Sequence, residues 1–281
     1  MMLLRLLRRD LSVGTYQARL YLSFAFVLGL LFSLGAAGNA ITRGISPSGL
    51  SYADAVGEAF NFSSPVNIEA LLNGRALSIT FPWLLTFASL LAATLDYPKT
   101  DAFGSGYRVV VGAGSRWIWW LSKCLWIVVV TAVFWLLFYA GIAVMSMAFQ
   151  MDMTLDITES GASFLFTNLS IYGFSMTVIP LLLLSVPIGS ALGLIQLVIA
   201  MRAERIPAYA FCLVLMFVSA LFMHPLLPGN YLISGRSIGM ALGGMQLNAG
   251  LAWALGVGLA AVIVGGLLFS RMTIFGGTRD E

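Results

Sequence analysis

Polar and apolar positions are distributed very unevenly along this chain. Six stretches contain no Asp, Glu, Lys or Arg: 20–42, 76–95, 124–151, 160–201, 206–235 and 237–270. A charge at the centre of a membrane-crossing helix costs about 2.5–3.5 kcal/mol, and such a helix needs about 20 predominantly apolar residues. Each run therefore predicts one crossing. The run 160–201 is long enough for two, with Pro180 and Pro187 as breaks, so the distribution of charge has to decide the number. With six crossings and an internal N-terminus, Arg5, Arg8, Arg9, Arg19, Lys99, Arg108, Arg116, Lys123, Arg202, Arg205, Arg271 and Arg279 fall inside, and only Arg43, Arg75 and Arg236 fall outside. That bias matches the rule that cytoplasmic loops collect Lys and Arg. Splitting 160–201 would put Arg202 and Arg205 on the wrong face, so one span is expected there, with Phe164 to Tyr172 as an outer interfacial approach.

The segments between the runs have their own patterns. Residues 1–19 predict an amphipathic interfacial helix: Arg5, Arg8, Arg9 and Arg19 share one sector and Leu3, Leu4, Leu6, Leu7 and Leu11 fill the opposite one. Asp10 among those leucines predicts a break. A plain basic flank that fixes topology is the alternative. Residues 20–40, a basic start followed by an apolar stretch ending Ala36-Ala37-Gly38-Asn39-Ala40, also have the outline of a signal peptide; a span is expected. In the outer loop 44–75, Tyr52 to Phe60 predicts a short surface helix. A second outer segment, 150–160, carries Asp152, Asp156 and Glu159, and reads as an ordinary solvated loop or as a lure for a cationic substrate. Before the last run, His224-Pro225-Leu226-Leu227-Pro228-Gly229-Asn230-Tyr231 and then Arg236 predict a broken or re-entrant outer segment, or a plain turn. Gly256, Gly258, Gly265 and Gly266 offer close helix approach in the last span.

Composition agrees with this layout. The 281 residues are 59% hydrophobic and 10% charged, with a mean hydropathy of +0.93, where soluble domains carry about 25% charged residues. The expected fold class is an all-α, polytopic integral membrane protein, one domain over 1–281, in the inner or plasma membrane with both termini cytoplasmic. A formal charge of +3 suggests no nucleic-acid partner. Cys124 and Cys212 lie inside apolar runs and read as packing residues.

Several chemistries find no support. No formal charge falls inside a run, which argues against ion coupling through the spans. There is one histidine, no Gly-x-Ser-x-Gly and no His-Glu-x-x-His, so no catalytic residue and no metal site is expected. A Gly-x-x-x-x-Gly-Lys-Ser/Thr phosphate loop is also missing, so any energy from ATP has to arrive through a partner.

The inner loop 96–116 is the most informative segment. It reads Asp-Tyr-Pro-Lys-Thr-Asp-Ala-Phe-Gly-Ser-Gly-Tyr-Arg from Asp96, and its stretch Tyr107 to Val111 is too short to span and too apolar for a free loop. Gly114-Ser115-Arg116 then turns into a helix with Trp117, Trp119 and Trp120 at interface depth. The Gly-Ser-Arg-x-x-Trp-Trp-x-Ser-Lys run from Gly114 to Lys123, with the six-run layout, resembles the membrane subunits of ABC exporters of the type-2 permease class. The resemblance implies an ATP-driven exporter, in which two permeases, copies or paralogues, pair with two ATPase subunits that hold ATP and Mg. By position it implies that Lys99, Asp101, Phe103, Tyr107 and Arg108 touch the ATPase, joined by Arg202, Glu204 and Arg205 of the second inner loop, 201–207. Phe134, Trp135, Phe138 and Tyr139, with Met145 and Met147 beyond them, are candidates for a greasy pathway for a peptide, antibiotic or lipid; packing is the alternative for these side chains. A non-transporting accessory or signalling subunit and an ion-coupled carrier are the competing classes.

Overall fold

The structure is a computed structural model that describes residues 2–61, 81–103, 115–165, 176–237 and 244–272. These are helical almost throughout: α1 Met2–Thr42, α2 Tyr52–Ala59, α3 Phe81–Phe103, α4 Arg116–Ala148, α5 Glu159–Leu165, α6 Ile179–Arg202, α7 Arg205–Leu221 and α8 Leu247–Ser270. Helices occupy all six charge-free runs. Four of them, α1, α4, α6 and α8, are long and apolar enough to cross a membrane. In α3 the last turns carry Asp96, Lys99 and Asp101, and α7 has 17 residues. The chain is a membrane-embedded helical protein.

Side-chain contacts fix the helix directions. α1 and α4 run parallel in constant register: Asp10 meets Lys123, Gly14 faces Trp126, Gly29 faces Phe138 and Ile142, and Ser33 meets Ser146. A Cβ on Gly29 would lie 2.0 Å from the Phe138 carbonyl oxygen, and one on Gly141 would lie 2.2 Å from that of Phe26. The two backbones therefore touch, which any larger residue would prevent. α3 runs antiparallel to α4, pairing Phe87 with Trp135, Tyr97 with Trp126 and Asp101 with Trp119. α6 is parallel to α3, with Gly189 against Leu90 and Gly193 against Thr94. α7 returns, placing Arg205 beside Asp96 and Ser219 with Trp83 around Gly229. α8 is parallel to α6, with Gly250 against Leu184 and Gly265 against Val198. The six long helices thus alternate in direction. One end gathers residues 9–10, 96–101, 116–123, 202–205 and 270–272; it is called the basic end here, and the opposite one the far end.

Three expectations are corrected. Residues 2–42 form one helix, not an interfacial helix followed by a span. Its buried positions, Leu6, Asp10, Gly14, Ala18, Leu22, Ala25, Gly29, Ser33, Ala36 and Ala40, make one stripe along its whole length. Asp10 belongs to that stripe because Lys123 awaits it, so it causes no break. At about 1.5 Å per residue α1 is roughly 60 Å long, twice a hydrocarbon core. Second, the loop expected from Asp96 starts later, because α3 continues through Pro98 to Phe103. Pro98 removes one backbone donor, but side-chain anchors on Asp96, Lys99 and Asp101 hold the last turns. Third, α2 lies where a short helix is expected, but it is buried rather than on the surface, with Ala53, Asp54, Ala55, Val56 and Gly57 inward.

The core is aromatic. Phe60, just past α2, stacks on Trp135 at 5.7 Å, and Phe87, Phe134, Phe138 and Tyr139 pack on the same ring at 5.5–5.7 Å. In α8, Gly265 and Gly266 receive the rings of Trp120 and Trp117, whereas a Cβ on Gly256 would meet nothing within 4 Å among the described residues.

The far end is organised by polar groups bonded to backbone. α2 starts with a capping box between Ser51 and Asp54. The Asp54 carboxylate also accepts from the Thr158 N–H at 3.1 Å and its hydroxyl at 2.7 Å, tying α2 to the start of α5. Burial pushes the Asp54 carboxyl above the usual carboxylate range, against the pull of these hydrogen bonds. Segment 222–237 is irregular, with short 3-10 turns at Pro228–Leu232 and Ser234–Arg236; residues 222–226 are exposed, and from Pro228 the chain packs inward. Arg236 is buried and donates to the carbonyls of Ser219 at 2.7 Å and Ala220 at 2.8 Å and to the Asn230 amide oxygen. These carbonyls belong to the last turn of α7, which lacks helical donors and carries partial negative charge. The apolar run 206–235 thus ends at a cation that caps its own helix.

Candidate functional site

The basic end holds a closed set of charges contributed by three helices. Lys123, near the start of α4, is fully buried and directs its ammonium group to Asp10 of α1 at 2.6 Å, Asp101 of α3 at 2.7 Å and the Tyr97 hydroxyl at 3.2 Å. All three of its protons are used. Asp10 also accepts from Tyr97 at 2.6 Å and from Ser122 at 2.5 Å. Asp101 accepts from Arg9 at 2.6 Å and from the Trp119 indole at 3.2 Å. Two carboxylates and two cations leave no net charge, which is the condition under which buried ions persist. Removing any one of them strands a charge, so the set locks α1, α3 and α4 in one register.

Beside it, the end of α3 and the junction of α6 and α7 grip each other. The Lys99 ammonium donates to the Ala203 carbonyl at 2.8 Å and to Glu204 at 3.2 Å, and Arg205 donates to Asp96 at 3.0 Å. Arg116 donates to the carbonyls of Ser270 at 2.9 Å and Met272 at 2.6 Å, bringing in the end of α8. The ends of α3, α4, α6, α7 and α8 are thereby joined.

The structure thus brings Lys99, Glu204 and Arg205 together and leaves Arg202 exposed at the end of α6. Asp101 is turned inward, onto Arg9 and Lys123. The Phe103 side chain, Tyr107 and Arg108 lie outside the described residues. Phe134, Trp135 and Phe138 are buried core, and Tyr139 packs on Trp135, an arrangement in keeping with the packing alternative for these side chains. Phe60, just past α2, completes this packing, a partner no local spacing reveals. Sequence reasoning missed Asp10, Tyr97, Ser122 and Lys123 as a set. Its only trace is an aspartate on a leucine face and a lysine counted as a topology anchor.

No protein-family model, curated protein or solved structure matches the chain.

Proposed function

We propose that this chain is the permease subunit of an ATP-driven exporter of the ABC type-2 class, crossing the membrane six times with its basic end in the cytoplasm. The observation that carries the proposal is the joined basic end. Lys99, Ala203 and Glu204, with Asp96 and Arg205, make one unit of two inner segments that are far apart in sequence, and the charge set behind it clamps three long helices. A force applied there by a docked partner moves rigid helices rather than loose loops.

The alternating directions support six crossings: α1 and α4 are parallel, so a helix between them has to return, and α3 runs in that opposite direction. Lys99, Arg116, Arg202, Arg205 and Arg271 are at one end, and Arg43 and Arg236 are at the other, in keeping with a cytoplasmic basic end. ATP and Mg belong to a separate nucleotide-binding subunit, since the sequence has no phosphate loop. A second copy or a paralogue completes the permease pair. Closure of the ATPase pair would shift the permease between inward-open and outward-open states.

The test is purification of the chain with its neighbouring gene products. Co-purification of a nucleotide-binding subunit and ATPase activity that requires both chains are expected. Absence of both contradicts the proposal. A second reading, a non-transporting accessory or signalling subunit, is favoured by the close packing of Phe60, Trp135 and Phe138 where a pathway was expected. ATP-dependent cargo movement in vesicles holding only this chain and its ATPase would eliminate it.

A further inference from the structure

A groove runs along the side of the bundle between α1, α2 and the start of α3. Its floor and walls are apolar, from Leu28, Leu31, Gly35 and Leu85, and its far-end rim carries Asn39 and Glu58. Its volume of about 400 Å³ falls within the roughly 300–1,000 Å³ of small-molecule sites. Along α1, Leu28 to Asn39 spans about 16 Å at helical rise, so the groove is long rather than round. Gly35 leaves it open, since a Cβ there meets nothing within 4 Å among the described residues. Leu31 and Leu85 are 54% and 42% exposed and leave the groove open sideways, where a membrane-embedded chain meets lipid.

The polar end has one sign. The Glu58 carboxylate, half-buried, accepts from the Asn39 amide at 2.7 Å and the Asn61 amide at 3.1 Å. Both donors are neutral, and among the described residues no ion pair reaches Glu58. The amides hold the carboxylate in place without cancelling its charge. A fixed negative charge at the polar mouth of an apolar trough complements a molecule that is cationic at one end and apolar along the rest.

We propose that this groove binds an amphiphile with a single apolar tail and a protonated amine head, the tail lying over Leu28, Leu31 and Gly35 and the amine meeting Glu58. Where the transport reading also holds, this molecule is the class of cargo; binding itself stands apart from that reading and needs no ATPase.

The test uses the full chain in phosphatidylcholine nanodiscs, titrated with tritium-labelled dodecylamine. Saturable binding is expected, displaced by dodecylamine and not by dodecanoate. Glu58→Gln weakens it at least tenfold, and Gly35→Phe, which fills the open space, abolishes it; Leu31→Trp on the same wall is an independent block, with unfolding midpoints checked for each variant. No saturable binding, equal competition by dodecanoate, or wild-type affinity in Glu58→Gln overturns the assignment. So does loss of binding on adding excess phosphatidylethanolamine alone, which would make the groove an ordinary lipid site. Failure here with an intact ATPase complex refutes only the amphiphile, and saturable binding by a chain with which no ATPase co-purifies and on which no ATPase activity depends refutes only the exporter.

Discussion

At the basic end Lys123 meets Asp10 and Asp101 from two other helices, whereas at the far end Arg236 meets carbonyls and one amide oxygen, and Asp54 meets N–H groups and hydroxyls. The difference is one of range. Charge on charge links segments 113 residues apart, such as Asp10 and Lys123, and fixes the register of whole helices. Charge on backbone, as with Arg236, satisfies groups that a broken segment leaves without partners. The first makes a rigid handle, and the second lets irregular chain pack inside.

Lys123→Met should break the comparison hardest. It leaves Asp10 without its cation and removes one of two from Asp101, and loss of one buried partner costs about 3–5 kcal/mol. The double variant Lys123→Met with Asp10→Leu should recover much of that loss in thermal unfolding of the purified protein. Equal midpoints for the single and double variants would show that the set does not act as a charge lock. Next in size, Arg236→Met should cost about 1–3 kcal/mol, the penalty for stranding buried acceptors. Hydrogen exchange should rise over residues 219–232 and stay unchanged near Lys123; a rise at both ends would erase the distinction of range.

Asp54 sharpens the comparison through pH. Its carboxyl is pushed up in the folded state by burial, so the folded form holds its proton more tightly than the unfolded form does. The stability this contributes is present at acid pH and is lost as pH rises through the folded value. Wild type should therefore lose stability relative to Asp54→Asn between acid and neutral pH, read as the difference in unfolding midpoints; the opposite slope would refute it. The smallest effect belongs to Glu204→Gln, under about 1 kcal/mol, because the Glu204 side chain is 83% exposed and Lys99 keeps the Ala203 carbonyl.

Much of the fold was legible because the bilayer imposes it. Charge-free runs mark all six long helices, and the stretch Tyr52 to Phe60 marks α2. The two prolines and glycine after His224 mark the irregular segment. What stayed hidden depends on tertiary partners. Whether Asp10 breaks α1 or docks it is decided by a lysine far along the chain, and Pro98 ends a helix only when nothing anchors the turn beyond it. Trp135 is equally suited to a pathway or a core until Phe60 is placed against it. Of the basic-end residues, Lys99 and Arg205 carried a trace as inner-loop charges, while the burial of Asp101 carried none.

The central claim is that a separate ATPase grips the basic end. The most direct measurement is photo-crosslinking from single cysteines at Arg202, exposed at the end of α6, and at Gly38, exposed at the far end of α1, in membranes that contain the neighbouring gene products. The account predicts capture of a nucleotide-binding subunit from position 202 alone, with a yield that changes on adding ATP. Capture of no such subunit from position 202, or equal capture from position 38, would contradict it.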